Sequence, residues 1–149
     1  MRTSALVVSA AIAMMASSAN AQTPARMVVT APEMSVTATL SPAIRVGDVI
    51  YTSGQLPGTR AQPMDTTIQG QTRQTLDKIK TIVEAGGSTM ANVLKCTVFL
   101  VDVKDFPGMN SVYREFWPKD PPARSTVVVA ALVSAAAKLE IECIAAISR

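Results

Sequence analysis

Two stretches with the periodicity of amphipathic helices lie among strand-like segments, and this order limits the folds that the chain can adopt. The first stretch, TTIQGQTRQTLDKIKTIVEAGG, has Thr66 or Thr67 as its N-cap and ends at Gly86 and Gly87. The second, FPGMNSVYREFW, follows Asp105 as its cap and carries apolar residues at positions i, i+3, i+4 and i+7. We expect two helices, each with one apolar face.

Five segments around these helices are predicted as strands. MSVTATL from Met34 alternates apolar and polar residues, Gly47 and Asp48 signal a turn, and VIYTSGQL follows, which together indicate a hairpin. The other three segments are NVLKCTVFLVDV, ARSTVVVAAL and KLEIECIAAI. The predicted order is ββαβαββ, which is typical of an α+β sandwich.

One of these strands has an unusual pattern, because the run from Val127 to Leu132 is apolar without alternation. Such a run is typical of a strand that is buried on both faces. Two helices cover only one face of a sheet, so the other face needs a different cover. We therefore expect a homo-oligomer in which the second face packs on another copy of the same sheet.

The N-terminus has the pattern of a cleavable secretory signal peptide. An arginine precedes an apolar run over residues 5–16, and the small residues before Gln22 form the A-x-A pattern at which cleavage is expected. A retained membrane anchor is the alternative, but the run is shorter than the roughly 20 residues of a spanning helix. Residues 1–21 are then the signal peptide, residues 22–33 a flexible leader, and residues 34–149 one domain. We predict an exported, periplasmic protein without membrane association after cleavage.

Composition excludes several common kinds of chemistry. The chain has no histidine, which excludes Ser-His-Asp and Cys-His catalysis and any ribonuclease mechanism that needs a pair of histidines. The same absence removes the common ligands of a zinc site, so neither a metal nor another cofactor is expected. The formal net charge is only +3, the basic residues are scattered and 4% of residues are aromatic. A nucleic-acid partner is therefore not expected.

The two cysteines, Cys96 and Cys143, lie in different predicted strands. An exported protein can oxidise such a pair to a disulfide, but only where the Cα atoms come within about 7 Å of each other. Because free cysteine is among the most buried residue types, we expect two buried thiols.

Five blocks of the sequence occur in an order and with a spacing that match a known family. They are YTSGQLPG, QTRQTLDKIKTIVEAGG, KCTVFLVDVKDFPGMNSVYREFW, PPARSTV and KLEIECIAA. Together, from about Thr37 to Ile147, they resemble the RidA (YjgF-like, reactive intermediate deaminase) family. The resemblance implies a chorismate-mutase-like α+β fold, with a mixed sheet and two helices on one face. It also implies a homotrimer in which the sheets form an inner barrel and the ligand sites lie between subunits.

The resemblance implies an activity as well. Deaminating members of the family hydrolyse imines and enamines, such as 2-aminoacrylate and 2-iminobutanoate, to 2-keto acids and ammonia. Arg124, at the entrance of the apolar strand, falls on the family's carboxylate-binding arginine, and a guanidinium matches a carboxylate bidentately. On the residues alone, a structural ion pair between Arg124 and a nearby acid is the alternative.

A carboxylate is the natural group to handle water in a chain without histidine. Glu140 falls on the family glutamate that positions water, and Glu142 lies on the same strand face. The alternative is that both glutamates only line a polar face. Since a protonated imine is already electrophilic, we expect orientation and one water to supply most of the catalysis, without a covalent intermediate or a cofactor.

Five further residues are candidates for the ligand pocket. Ser53 and Gly54 match the family's pocket-lining pair, although both residue types also punctuate strands. Asn110 matches a position near the cleft, although an asparagine early in a helix is often only a cap. Leu40 stands where the deaminases usually carry a tyrosine, and Thr126 where a cysteine is common. These two departures point to an altered substrate preference or slow turnover.

Tyr113 and Trp117 follow the apolar periodicity of the second helix and are expected in the core or at an interface.

The export signal leaves another function open. The imines named above arise in the cytosol, so an exported copy has no obvious supply of them. A trimeric protein that binds a carboxylate metabolite at Arg124 without turnover, or a stress holdase, is therefore the alternative to the enzyme.

Overall fold

A computed structural model describes residues 24–147. In chain order its main elements are β1 (Arg26–Val29), β2 (Ala43–Val46), β3 (Val49–Thr52), α1 (Ile68–Ala85), β4 (Val93–Leu100), α2 (Phe106–Phe116), β5 (Ala123–Val128) and β6 (Leu139–Ala146). The predicted signal peptide and its cleavage site before Gln22 lie outside the described residues. Within residues 24–147, neither helix combines the length and the apolar character that crossing a membrane requires.

The strands form one mixed sheet in the order β1-β2-β3-β6-β4-β5. β4 and β5 run parallel, and each other neighbouring pair is antiparallel. The helix α1 packs on β6 and β3, and α2 packs beside α1. The predicted α+β fold, with two helices on one face of a mixed sheet, is confirmed.

Both helices begin and end where their sequence signals place them. The Thr67 hydroxyl accepts a hydrogen bond from the Gly70 amide at 3.0 Å, and Gly86 follows the last helical residue of α1. Gly87 then turns the chain with a φ of 91°, a conformation that favours glycine. Asp105 holds the N-cap position of α2 without a capping hydrogen bond. Its carboxylate lies 3.8 Å from the Lys138 ammonium instead.

The first part of the sheet differs from the prediction. MSVTATL is not a strand, and Arg26–Val29, which falls in the expected flexible leader, pairs with Ala43–Val46 as β1. Burial explains the pairing, because Val29 is buried at 6% exposure opposite Ala43. In MSVTATL, the Thr37 hydroxyl accepts from the Leu40 amide at 3.1 Å. Such a side-chain bond to the local backbone favours a turn over a strand.

The sheet has one buried and one open face. The helix face carries the core, which includes the fully buried Ile50, Leu76, Ile79, Ile82, Leu100, Met109, Leu139 and Ile141. Residues of β6 alternate between buried and half-buried, so every second side chain points away from the helices. We call that side the open face, and it comprises Tyr51, Thr97, Phe99, Glu140, Glu142 and Ile144. Tyr113 and Trp117 lie in the core, as predicted.

The apolar run after Arg124 is not buried on both faces in a single chain. The strand ends at Val128, and Val127 and Val128 are 45% and 54% exposed. Tyr51, on the open face, is 48% exposed. Because only one face has helices, burial of the other face requires a second molecule.

The prediction of two buried thiols is wrong, since Cys96 and Cys143 form a disulfide. Both side chains are buried, as predicted, but β6 lies beside β4 and the two cysteines are direct partners in the antiparallel ladder. Their Cα atoms are 4.1 Å apart. The sequence pattern identifies both strands but not that they are neighbours, and adjacency is what makes the bond possible.

Candidate active site

Arg124 lies on β5 at the edge of the sheet, and its side chain points to the helix face. Its strand partner is the buried Cys96. The guanidinium carbon lies 4.5 Å from the centre of the Tyr113 ring and 5.7 Å from that of Phe106. Nη1 is 3.8 Å from the Met109 sulfur, a weak acceptor. The half-buried cation is therefore held by aromatic faces and a thioether.

No carboxylate pairs with Arg124 within the described part of the chain. The two acids at either end of α2 have other partners, because Asp105 faces Lys138 at 3.8 Å and Glu115 binds Arg73 at 2.6 Å. The alternative of a structural ion pair is thus not what the structure contains. A half-buried guanidinium without a counter-ion favours the binding of an anionic ligand.

Arg124 forms part of a cleft of about 380 Å³ between α2 and the start of β5. We call this the arginine cleft, and it is lined by Asn110, Tyr113, Arg114, Trp117, Pro121, Pro122 and Arg124. Its three residues from α2, Asn110, Tyr113 and Arg114, lie at i, i+3 and i+4 and so share one helix face, and Trp117 is the C-cap of the same helix. Asn110 is the fifth residue of α2 rather than a cap. The structure thus brings Asn110 and Arg124 together.

Two aromatic side chains fix the wall of the arginine cleft. The Trp117 indole donates to the Met90 carbonyl at 2.7 Å, so its ring is held in place. Burial raises the pKa of Tyr113 to about 12, so its phenol is protonated at neutral pH, and its hydroxyl has no partner among the described residues. The helical periodicity assigned both residues to the core but did not reveal that their rings border a cleft.

Glu140 and Glu142 lie on the open face, as their alternation predicts. Their strand partners on β4 are Phe99 and Thr97. Burial raises the pKa of the Glu140 carboxyl, and the neighbouring charge of Glu142 raises it further. Glu142 also borders a shallow depression on the open face, beside Lys95.

Gly54 and Ser53 pack around Glu140 and the segment that precedes β2. A Cβ atom at Gly54 would overlap the Glu140 carboxyl, so any other residue here requires that side chain to move. The Ser53 hydroxyl donates to the Ser41 carbonyl at 2.6 Å, which ties the segment of Leu40 to the end of β3. Leu40 is 52% exposed. We call Leu40, Ser53, Gly54 and Glu140 the glutamate cluster.

Thr126 belongs to neither group. It lies two residues after Arg124 on the same side of β5, with Val98 as its strand partner. It is half-buried and does not line the arginine cleft.

Arg124 and Glu140 lie on opposite faces of the sheet within one chain. Arg124 is level with Cys96, and Cys96 is level with Cys143, so all three point to the helix face. Glu140 is three residues before Cys143 and points to the open face. A small ligand held by Arg124 therefore does not reach Glu140 of the same molecule. In residues 24–147 there is also no group of three side chains suited to a metal ion.

Comparisons with known proteins place this chain among a group with diverse names. Residues 30–147 match the family model described as Endoribonuclease L-PSP. A 2-iminobutanoate/2-iminopropanoate deaminase of Dermatophagoides farinae is 40% identical over 109 residues, 72% of this chain and 84% of that protein. Mitochondrial protein mmf1 of Schizosaccharomyces pombe is 37% identical over 119 residues, 78% of this chain and 74% of that protein. The crystal structure of E. coli TdcF with bound serine has a TM-score of 0.76 and 32% identity, covering 82% and 99% of the two chains.

Proposed function

Since this chain belongs to the Endoribonuclease L-PSP family, which includes the YjgF and RidA proteins, we propose that it hydrolyses small 2-imino acids and their enamines to 2-keto acids and ammonia. One observation carries the proposal: the half-buried Arg124 guanidinium borders a small cleft and has no carboxylate partner in the described residues. A 2-imino acid presents the carboxylate that this cation lacks. The D. farinae relative bears the name of the same activity.

The reaction needs little beyond orientation and a positioned water. Arg124 holds the substrate carboxylate, and Asn110 in the same cleft offers an amide to the rest of the ligand. Water adds to the carbon of the protonated imine, the carbon–nitrogen bond then breaks, and nitrogen leaves as ammonium with both hydrogens of the water. Glu140 in its carboxylate form accepts a hydrogen bond from the attacking water.

The two halves of this machinery belong to different copies of the chain in our proposal. Within one chain, Arg124 and Glu140 are on opposite faces of the sheet. The open face also exposes apolar surface at Tyr51, and the edge strand exposes Val127 and Val128. Packing these surfaces on a neighbouring copy, in a homotrimer, would bury them and place a partner's glutamate cluster against the arginine cleft.

Export to the periplasm is also part of the proposal. The disulfide between Cys96 and Cys143 supports it, because such bonds persist in oxidising compartments and are rare in the cytosol. The signal-peptide pattern at the N-terminus points to the same compartment.

A binding protein without turnover is the second candidate. It is favoured by the same unpaired cation, and E. coli TdcF, a structural relative, holds serine. The ribonuclease named in the family's description is not proposed, because the chain has no histidine and its formal net charge is only +3, too small for the extended basic surface that binds a nucleic acid.

The test compares the protein from Gln22 onward with its Arg124→Ala variant. Amino-acid oxidation generates 2-iminobutanoate in situ, and disappearance of the imine is followed. We expect wild type to accelerate hydrolysis and Arg124→Ala to lose about 10- to 100-fold in kcat/KM, since it removes a charge-assisted hydrogen bond. Arg26→Ala, at the opposite edge of the sheet, is the matched control. If wild type binds 2-oxobutanoate but never accelerates hydrolysis, the enzyme is overturned and the binding protein is supported.

A further inference from the structure

The arginine cleft contains a second guanidinium that the proposed reaction does not use. Arg114 lines the cleft together with Arg124. Arg114 follows Asn110 by four residues on α2, so the side chains of Asn110 and Arg114 lie on one helix face, about 6 Å apart along the helix axis. None of the residues that line the cleft is acidic. The cleft therefore concentrates two positive charges without a compensating negative one.

Arg114 also has no partner within its own helix. The positions three and four residues away on either side are Asn110, Ser111, Trp117 and Pro118, and none of these carries a negative charge. The adjacent Glu115 binds Arg73 on α1 at 2.6 Å instead. No ion pair of Arg114 occurs anywhere in the described range.

Apart from the two arginines and Asn110, the lining of the arginine cleft is aromatic or proline. Trp117 is held by its hydrogen bond to the Met90 carbonyl, and Pro121 and Pro122 line the same cleft. The cavity of about 380 Å³ has room for a small molecule, and its walls suit a short aliphatic chain. Of the two arginines that line the cleft, Arg124 is half-buried and Arg114 is exposed.

We propose that Arg114 makes this cleft selective for dianionic substrates, so that 2-imino dicarboxylates are preferred over 2-imino monocarboxylates. The proposal rests on the function proposed above and specifies its substrate class. Arg124 holds the carboxylate next to the imine carbon, the linker lies against Trp117, and the distal carboxylate meets Arg114. Hydrolysis is the same balanced step: the iminium and one water give the 2-keto dicarboxylate and ammonium.

The test measures a preference rather than a single rate. Oxidases acting on aspartate and on alanine generate 2-iminosuccinate and 2-iminopropanoate, and kcat/KM is determined for each with wild type, Arg114→Gln and Arg26→Gln. We expect Arg114→Gln to lower the dicarboxylate-to-monocarboxylate ratio about fivefold, the effect of an exposed ion pair. Arg26→Gln removes the same charge from the far edge of the sheet, so the ratio is expected to stay at its wild-type value.

A binding measurement separates this proposal from the proposed reaction. Succinate and butanoate are titrated into wild type and Arg114→Gln by calorimetry, with the oligomeric state of both proteins measured first. Tighter binding of succinate that is lost in Arg114→Gln supports the second carboxylate subsite, even where no imine is turned over. Hydrolysis of 2-iminopropanoate with an unchanged ratio in Arg114→Gln, or dissociation of the assembly by that substitution, overturns the proposal and leaves the deaminase intact.

Discussion

The arginine cleft and the glutamate cluster differ in how much of a site one chain supplies. The arginine cleft is complete within a single molecule, because α2 and β5 provide its walls and its cation. The glutamate cluster lies on the open face, with one carboxylate and a close-fitting glycine. The difference teaches that the two regions lie on opposite faces of one sheet, so that in our proposal substrate binding and water activation meet only when two copies assemble.

Removing the disulfide is expected to have the largest effect, because it crosslinks β4 to β6 in the centre of the sheet that supports both regions. β4 pairs on one side with β5, which contains Arg124, and on the other side with β6, which contains Glu140. Replacing both Cys96 and Cys143 by alanine is expected to cost about 4 kcal/mol of unfolding free energy, measured by denaturant titration. A reductant should destabilise wild type similarly and leave the double variant unchanged. Equal stability of the two oxidised proteins would contradict the prediction.

Gly54→Ala should damage the glutamate cluster and spare the arginine cleft. The added Cβ overlaps the Glu140 carboxyl, so that side chain must move. Because misplacing a catalytic group by about 1 Å costs on the order of 100-fold in rate, we expect kcat to fall about 10- to 100-fold. The dissociation constant of 2-oxobutanoate, which Arg124 determines, should change much less. A variant that loses affinity while keeping kcat would show that the two regions are not separate.

Tyr113 tests the arginine cleft in return. Its ring lies 4.5 Å from the guanidinium carbon of Arg124 and so positions the cation. Tyr113→Leu should raise KM about three- to tenfold, the value of a cation–π contact, whereas Tyr113→Phe keeps the ring and should restore KM. An equal rise of KM in both variants would assign the effect to the hydroxyl, and a wild-type KM in both would show that Tyr113 does not position Arg124.

The smallest effect is expected in the pH profile. Burial and the charge of Glu142 raise the pKa of Glu140. On acidification, kcat/KM should therefore begin to fall at a pH above the ordinary pKa of a glutamate. Glu142→Gln removes the repelling charge, lowers the Glu140 pKa and should move this acid limb to lower pH. A shift to higher pH, or none, would mean that another group sets the limb.

Patterns in the sequence predicted most of the helices and strands, because caps, turns and alternation depend on residues that are close together in the chain. The Thr67 cap, the glycines after α1 and the alternation of β6 each act through neighbours in the chain. MSVTATL failed for the same reason, since its alternation competes with a turn that the Thr37 hydroxyl forms locally.

Strand order could not be predicted from these patterns. β6 is inserted between β3 and β4, and this position brings Cys96 beside Cys143. The register between β5, β4 and β6 sets Arg124 and Glu140 on opposite faces, and a motif of a few residues within one strand does not contain that register. The position of Arg114 at the arginine cleft was not predicted, because a charged residue on a helix is usually solvated and the cleft is lined from two separate parts of the chain.

Mixing two impaired variants tests the central claim most directly, namely that Arg124 of one copy works with Glu140 of another. Arg124→Ala and Glu140→Gln are produced separately, dissociated, combined in equal amounts and reassembled, and hydrolysis of 2-iminobutanoate is measured. Under random assembly, about a quarter of the interfaces regain both native residues, so activity should return to about a quarter of the wild-type value. Activity that stays at the level of the separate variants, in mixed assemblies confirmed by mass, would contradict a site shared between copies.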